Sequence, residues 1–126
     1  MKRERWIVDA MNVIGSRPDG WWNKPEAAMR EFARAVHTHA AVTGKEITVV
    51  FDSDPGGLPE TTHVEVVIAR RRGRNAADHE IERLVTEDQD PSHLRVVTSD
   101  RALIDKVKGL GATVISSGTF RDELDR

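Results

Sequence analysis

Cysteine is absent from the 126 residues. That excludes disulfides, thiolate zinc sites, iron–sulfur clusters and a cysteine nucleophile, and it suits a reducing compartment. Long apolar runs are also missing. The longest is about four residues, Val66 to Ala69, far below the ~20 that a membrane helix needs. The opening segment is basic, but its apolar stretch is broken at once by Asp9 and Asn12, unlike a signal peptide. These absences predict a cytoplasmic protein with no membrane partner. Excess charge of one sign is lacking too: 19 Lys+Arg stand against 21 Asp+Glu, a formal net charge of -2. A polyanionic partner must then be held by a local basic patch or by metal ions.

Several chemistries lack their residues. There is no G-x-S-x-G elbow, no G-x-G-x-x-G and no G-x-x-x-x-G-K-[ST] phosphate loop. His37 and His39 lie two apart on a predicted helix and diverge, while His63, His79 and His93 have no second histidine at ligand spacing. All five read as ordinary polar residues, with His79 the one near the acids discussed below. Repeats, low-complexity tracts and long Pro/Gly/Ser linkers are absent. One domain over residues 1–126 is therefore expected.

What is present is regular punctuation. Trp6 to Asp9 reads as a short buried strand, and residues 15–24 read as loop. Pro25 suits the first turn of a helix in which Met29, Phe32, Ala33, Val36 and Ala40 recur at helical spacing until Gly44. Ile47 to Asp52 reads as a strand covered on both faces, Asp54 to Gly57 as a turn, and Val64 to Ala69 as a third strand. Asn75 opens a helix with Ala77, Ile81, Leu84 and Val85 on one side. Leu94 to Thr98 is a strand, Asp100 to Lys108 a helix closed by Gly109, and Ala112 to Ile115 a fifth strand, before a short terminal helix or frayed end over Thr119 to Arg126. Strands mostly alternate with helices. The pattern predicts a three-layer α/β domain with a mostly parallel sheet of about five strands.

The acids fall at telling places. Asp9 and Asp52 end the first two strands, Asp100 follows the fourth, and Asp78 lies in the first turn of the helix after the third. In an open parallel sheet these positions share one edge, where ligands bind. Each has a structural explanation: Asp78 as part of a helix cap, Asp100 as an N-cap, Asp52 as a turn residue. Asp9 is harder to explain so, because it is polar where the pattern wants an apolar residue. Together the four would repel one another. An oxygen-only donor set without cysteine or clustered histidine selects a hard cation, Mg²⁺ or Mn²⁺.

Ile7-Val-Asp9-Ala-Met-Asn12-Val resembles the D-x-x-N strand motif of NYN-domain nucleases, a branch of the PIN-like fold. Phe51-Asp52, Asn75-Ala-Ala-Asp78-His-Glu-Ile81 and Val97-Thr-Ser-Asp100-Arg101 resemble the later blocks, in the same order. The resemblance covers residues 6–115. It implies a PIN-like (Rossmannoid) sheet with the first strand central, and Mg²⁺- or Mn²⁺-dependent, endonucleolytic hydrolysis of RNA. It puts Asp9, Asp78 and Asp100 at the acidic metal-site positions and Asn12 at the polar partner that orients the first acid or touches substrate. Asp52 matches an acid found in part of the superfamily. Two departures stand out: Ala77 precedes Asp78 where some relatives pair two acids, and Ile104 stands where some carry another acid. Glu82, one turn beyond Asp78, is the residue expected to supply a further carboxylate.

Arg70, Arg71, Arg72 and Arg74 put four guanidinium groups in five residues just before the Asp78 helix. Arginine forks suit phosphate oxygens, so this run is the expected RNA track, extended by Arg17, Lys24 and Arg101. Trp21-Trp22 could stack unpaired bases, or seal a core edge or a homodimer contact. Two alternatives to a ribonuclease remain. An aspartyl-phosphate phosphatase would want an acid two residues after Asp9, where Met11 stands. A non-catalytic RNA-binding module would keep the edge without cutting.

Overall fold

The structure is a computed structural model that describes residues 3–59, 61–73 and 75–126. Its strands are β1 (Arg5–Asp9), β2 (Glu46–Phe51), β3 (Val64–Ile68), β4 (Leu94–Val97) and β5 (Thr113–Ile115). Its helices are α1 (Ala10–Gly15), α2 (Pro25–Thr43), α3 (Ala76–Glu87), α4 (Arg101–Gly109) and α5 (Ser117–Leu124). All four strand pairings are parallel, in the order β3-β2-β1-β4-β5. The sheet is therefore fully parallel with β1 at its centre.

That order follows from the chain path. From β1 the chain moves outward through β2 to β3, then returns past β1 to β4 and β5. Strand order reverses beside β1, between it and β4. Period-2 alternation sends Trp6 and Val8 to one face and Ile7 to the other. The first face packs against α1, α2 and α5 through Val13, Ile14, Met29, Phe32, Val36 and Phe120. The second packs against α3 and α4 through Ala77, Ile81, Val85, Leu103 and Val107. Burying β1 and β2 on both faces explains why their sequences are near-continuous apolar runs.

Two elements depart from the sequence expectation. Residues 10–15 form α1, a short helix directly after Asp9. A six-residue helix has little stability of its own; Ala10, Val13 and Ile14 hold it by burial. The last helix starts at Ser117 rather than Thr119, because the Ser116 hydroxyl accepts from the Thr119 amide at 3.1 Å.

Candidate active site

Alternation along β1 turns Asp9 to the same side as Ile7, toward α3 and α4. It is 4% exposed. Its carboxylate accepts from the Thr98 hydroxyl at 2.9 Å, and the backbone N–H of Asn12 nearby favours its charged form. Burial pushes its pKa up to about 7; the Thr98 bond opposes that rise, and the nearby Asp78 and Asp100 reinforce it. Asp78, in the first turn of α3, is also raised, first by burial and then by Asp100, with Lys106 and His79 opposing. Asp100 caps α4, accepting from the Leu103 amide at 2.9 Å. Its own amide donates to the Thr98 hydroxyl at 3.2 Å. The fully buried Thr98 thus ties the first acid to the backbone of the last.

Asp9, Asp78 and Asp100 line one open cleft of about 260 Å³, together with Asp52, Asn12, Met11, Asn75, Ala76 and Ala77. The cleft lies at the carboxyl ends of the strands, beside the point where strand order reverses. Among the described residues, none of its four acids has a Lys, Arg or His ion-pair partner. Asp52 does not make the following turn; Asp54 does, accepting from the Gly56 amide at 2.8 Å. Asp78 does not cap its helix either, since α3 has no side-chain cap.

Among the described residues, no three Asp, Glu or His side chains converge tightly enough to cage an ion alone. Mg²⁺ commonly uses one or two carboxylates and keeps waters or substrate oxygens for its other positions. The open cleft could hold such an ion on one or two of Asp9, Asp78 and Asp100, with waters or substrate oxygens completing it.

Other expected residues lie elsewhere. Glu82 is outside the cleft. It sits 3.6 Å from Lys106 Nζ and lines a neighbouring hollow with Arg70, Arg71 and His79. Arg17 is occupied by a two-pronged pair with Asp125, at 2.7 and 3.1 Å. Lys24 is exposed at the start of α2, and Arg101 is exposed beside Asp100. Trp21 packs against the core while Trp22 is 59% exposed.

Arg70, Arg71 and Arg72 are exposed and have no ion pair among the described residues. Arg74 lies outside the described residues. The loop borders the acid cleft through two hollows: one shares Asp52 with the cleft and is lined by Arg70 and Arg72, and the other shares Ala76 and is lined by Arg70 and Arg71. Gly73 and Asn75 both have left-handed backbone, φ 99° and 68°. Glycine takes this region freely and asparagine more readily than most residues, and the two tighten the chain into α3.

Asn12 carries more than the resemblance implied. Its Oδ1 accepts from the Ser99 amide at 2.9 Å and from the Ser117 hydroxyl at 2.5 Å. The Ser117 amide in turn donates to the Ser99 hydroxyl at 3.0 Å. Sequence reasoning misses Thr98, Ser99 and Ser117. The one signal available for Thr98 is a polar residue closing an apolar strand.

A family profile described as the YacP-like NYN domain matches residues 6–126. Among solved structures, a mutant form of Rae1 (YacP) from Bacillus subtilis superposes with a TM-score of 0.78 and 26% identity, over 97% of this chain and 75% of that one. A second structure of the same Bacillus subtilis protein gives 0.74 and 22%, over 97% and 74%. Comparison with curated proteins gave no match.

Proposed function

The chain belongs to the YacP-like NYN domain family, and from that premise we propose that it is a metal-dependent ribonuclease that cuts single-stranded or locally unpaired RNA internally. Family membership supports a nuclease-type function directed at RNA. The observation that carries the finer reading is the cleft itself: four carboxylates from four separate segments, without a basic partner among the described residues, at the switch point of a parallel sheet.

A divalent cation held there would lower the pKa of a bound water and offset charge on the phosphate. The residues supply the rest. Asp9 and Asp100 bracket the position of the scissile phosphate, held in register by the Thr98 hydroxyl between them. Asp78 and Asp52 form the remaining acidic wall. Arg70, Arg71 and Arg72, beside that wall, grip phosphates along the strand and leave the bases unread. No side-chain nucleophile is required.

The test is incubation of mixed RNA with Mn²⁺ or Mg²⁺, with and without EDTA, using wild type and Asp9→Asn. Internal cleavage that needs the metal and disappears in the variant is the expected result. RNA binding without cleavage would instead make the chain a binding module, and cleavage that persists in EDTA would remove the metal from the account.

A further inference from the structure

We propose that Ser117, on the last helix, is a positioning residue for the acid cleft, acting through Asn12 and Ser99; this rests on the ribonuclease reading above. Asn12 lies in the first turn of α1, the helix that begins directly after Asp9, and its backbone N–H favours the charged form of that acid. Its side-chain oxygen is shared by two donors from distant segments: the Ser99 amide, just before the Asp100 cap, and the Ser117 hydroxyl, at the start of α5. Ser117 is 1% exposed, and its amide bonds to the Ser99 hydroxyl. Asn12 is thus joined to segments 87 and 105 residues away in one closed hydrogen-bonded ring. The ring fixes Asn12, and with it the start of α1 directly after Asp9. It also fixes the turn that carries Asp100.

Ser117 is not needed to cap its own helix. Ser116 does that. Nor is it the only tie between α5 and α1. Arg121 donates to the Ser16 carbonyl at 2.9 Å, and Arg17 pairs with Asp125. Those two contacts join the helices at the far end of α1, away from the acids. The same pair of helices therefore offers one polar contact at the site and others remote from it, which separates positioning from simple stability.

The experiment compares wild type, Ser117→Ala, Asn12→Ala, the double variant of these two, Arg121→Ala and Asp9→Asn. Three quantities are measured: melting temperature, Mn²⁺ affinity by electron paramagnetic resonance without RNA, and kcat and KM on a single-stranded RNA. Ser117→Ala is expected to lower kcat about tenfold, the size of one missing buried hydrogen bond, with KM little changed and Mn²⁺ binding weakened several-fold. Arg121→Ala should lower the melting temperature and leave kcat and Mn²⁺ affinity as in wild type. In the Asn12→Ala background, Ser117→Ala should cost little more, because its acceptor is gone.

Wild-type kcat and Mn²⁺ affinity in Ser117→Ala, while Asp9→Asn is inactive, would overturn the positioning role and leave the ribonuclease reading standing. Falls of kcat in Ser117→Ala and Arg121→Ala that merely follow melting temperature would also overturn it. No difference between wild type and Asp9→Asn in cleavage or Mn²⁺ binding would overturn the ribonuclease reading, and the role built on it with it.

Discussion

The two edges of the sheet treat their carboxylates in opposite ways. At the amino-terminal edge, Asp88 receives both prongs of the Arg5 guanidinium and the Asp90 amide at 2.8 Å. The Arg5 hydrogen bond holds Asp88 below the usual carboxylate range. Glu4 and Arg95 pair nearby at 3.1 Å. At the carboxyl-terminal edge, Asp9 and Asp78 are pushed up by burial and by their acidic neighbours. One fold thus contains aspartates that strengthen it and aspartates that strain it. The first kind is what packing and pairing produce. The second persists where a ligand of opposite charge completes the site. On the proposed reading, this contrast is the one between structural acids and functional ones.

The largest effect should come from removing the strained charge. Asp9→Asn is expected to reduce RNA cleavage to background while keeping the fold, since size and the Thr98 contact survive. A cleanly folded variant cutting at the wild-type rate would break the distinction between the edges.

The second test uses pH, without metal. The folded protein holds the Asp9 proton up to about pH 7, against 3.8 for an ordinary aspartate carboxyl. Folded chains then bind more protons than unfolded ones between those values, so this group makes stability fall as pH rises from about 4 to 7. Asp9→Asn should unfold at the same denaturant concentration as wild type near pH 4, and be more stable at pH 7, by up to about 4 kcal/mol. Asp88 should act in the opposite sense. Its lowered pKa contributes stability above about pH 4 that is lost as pH falls through its folded value. Asp88→Ala is expected to cost about 1–2 kcal/mol at neutral pH, because the pair is only partly exposed and hydrogen-bonded. Cleavage below its lowered melting temperature should be unaffected. A neutral Asp88→Ala, or one that abolishes cleavage, would show that the two edges are not separable.

How far this contrast can be read from sequence differs from residue to residue. The strands are visible because β-branched runs such as Ile47 to Phe51 need burial on both faces. The four acids are visible because parallel topology sends strand ends to one edge. Helix α1 is not, because six residues with Asn12 and Gly15 carry no helical signal; burial against the core makes the helix. The bonds of Thr98 and Ser117 are invisible because their partners lie 89 and 105 residues away. Helical spacing places Glu82 one turn beyond Asp78, but spacing says nothing of Lys106 on the next helix. Asp125, 108 residues on, likewise engages Arg17, which the sequence offers as an extension of the expected RNA track.

The smallest effect concerns the arginine loop. Changing Arg70, Arg71 and Arg72 to Ser should weaken RNA binding alike for all sequences. It should also flatten the salt dependence, by about 0.7 in log–log slope for each phosphate no longer gripped. Binding titrations at several salt concentrations, with cleavage blocked by Asp9→Asn, measure this. An unchanged slope would move the strand away from the loop.

The most direct test of the strained edge is the melting temperature with and without millimolar Mn²⁺. An ion that binds only the folded state adds about 2.7 kcal/mol at a hundredfold excess over its dissociation constant. Wild type and Asp88→Ala should both melt higher with Mn²⁺, and Asp9→Asn and Asp100→Asn much less so. Equal shifts in all four proteins, or none in wild type, would contradict the claim that the acids at this edge are kept for a cation.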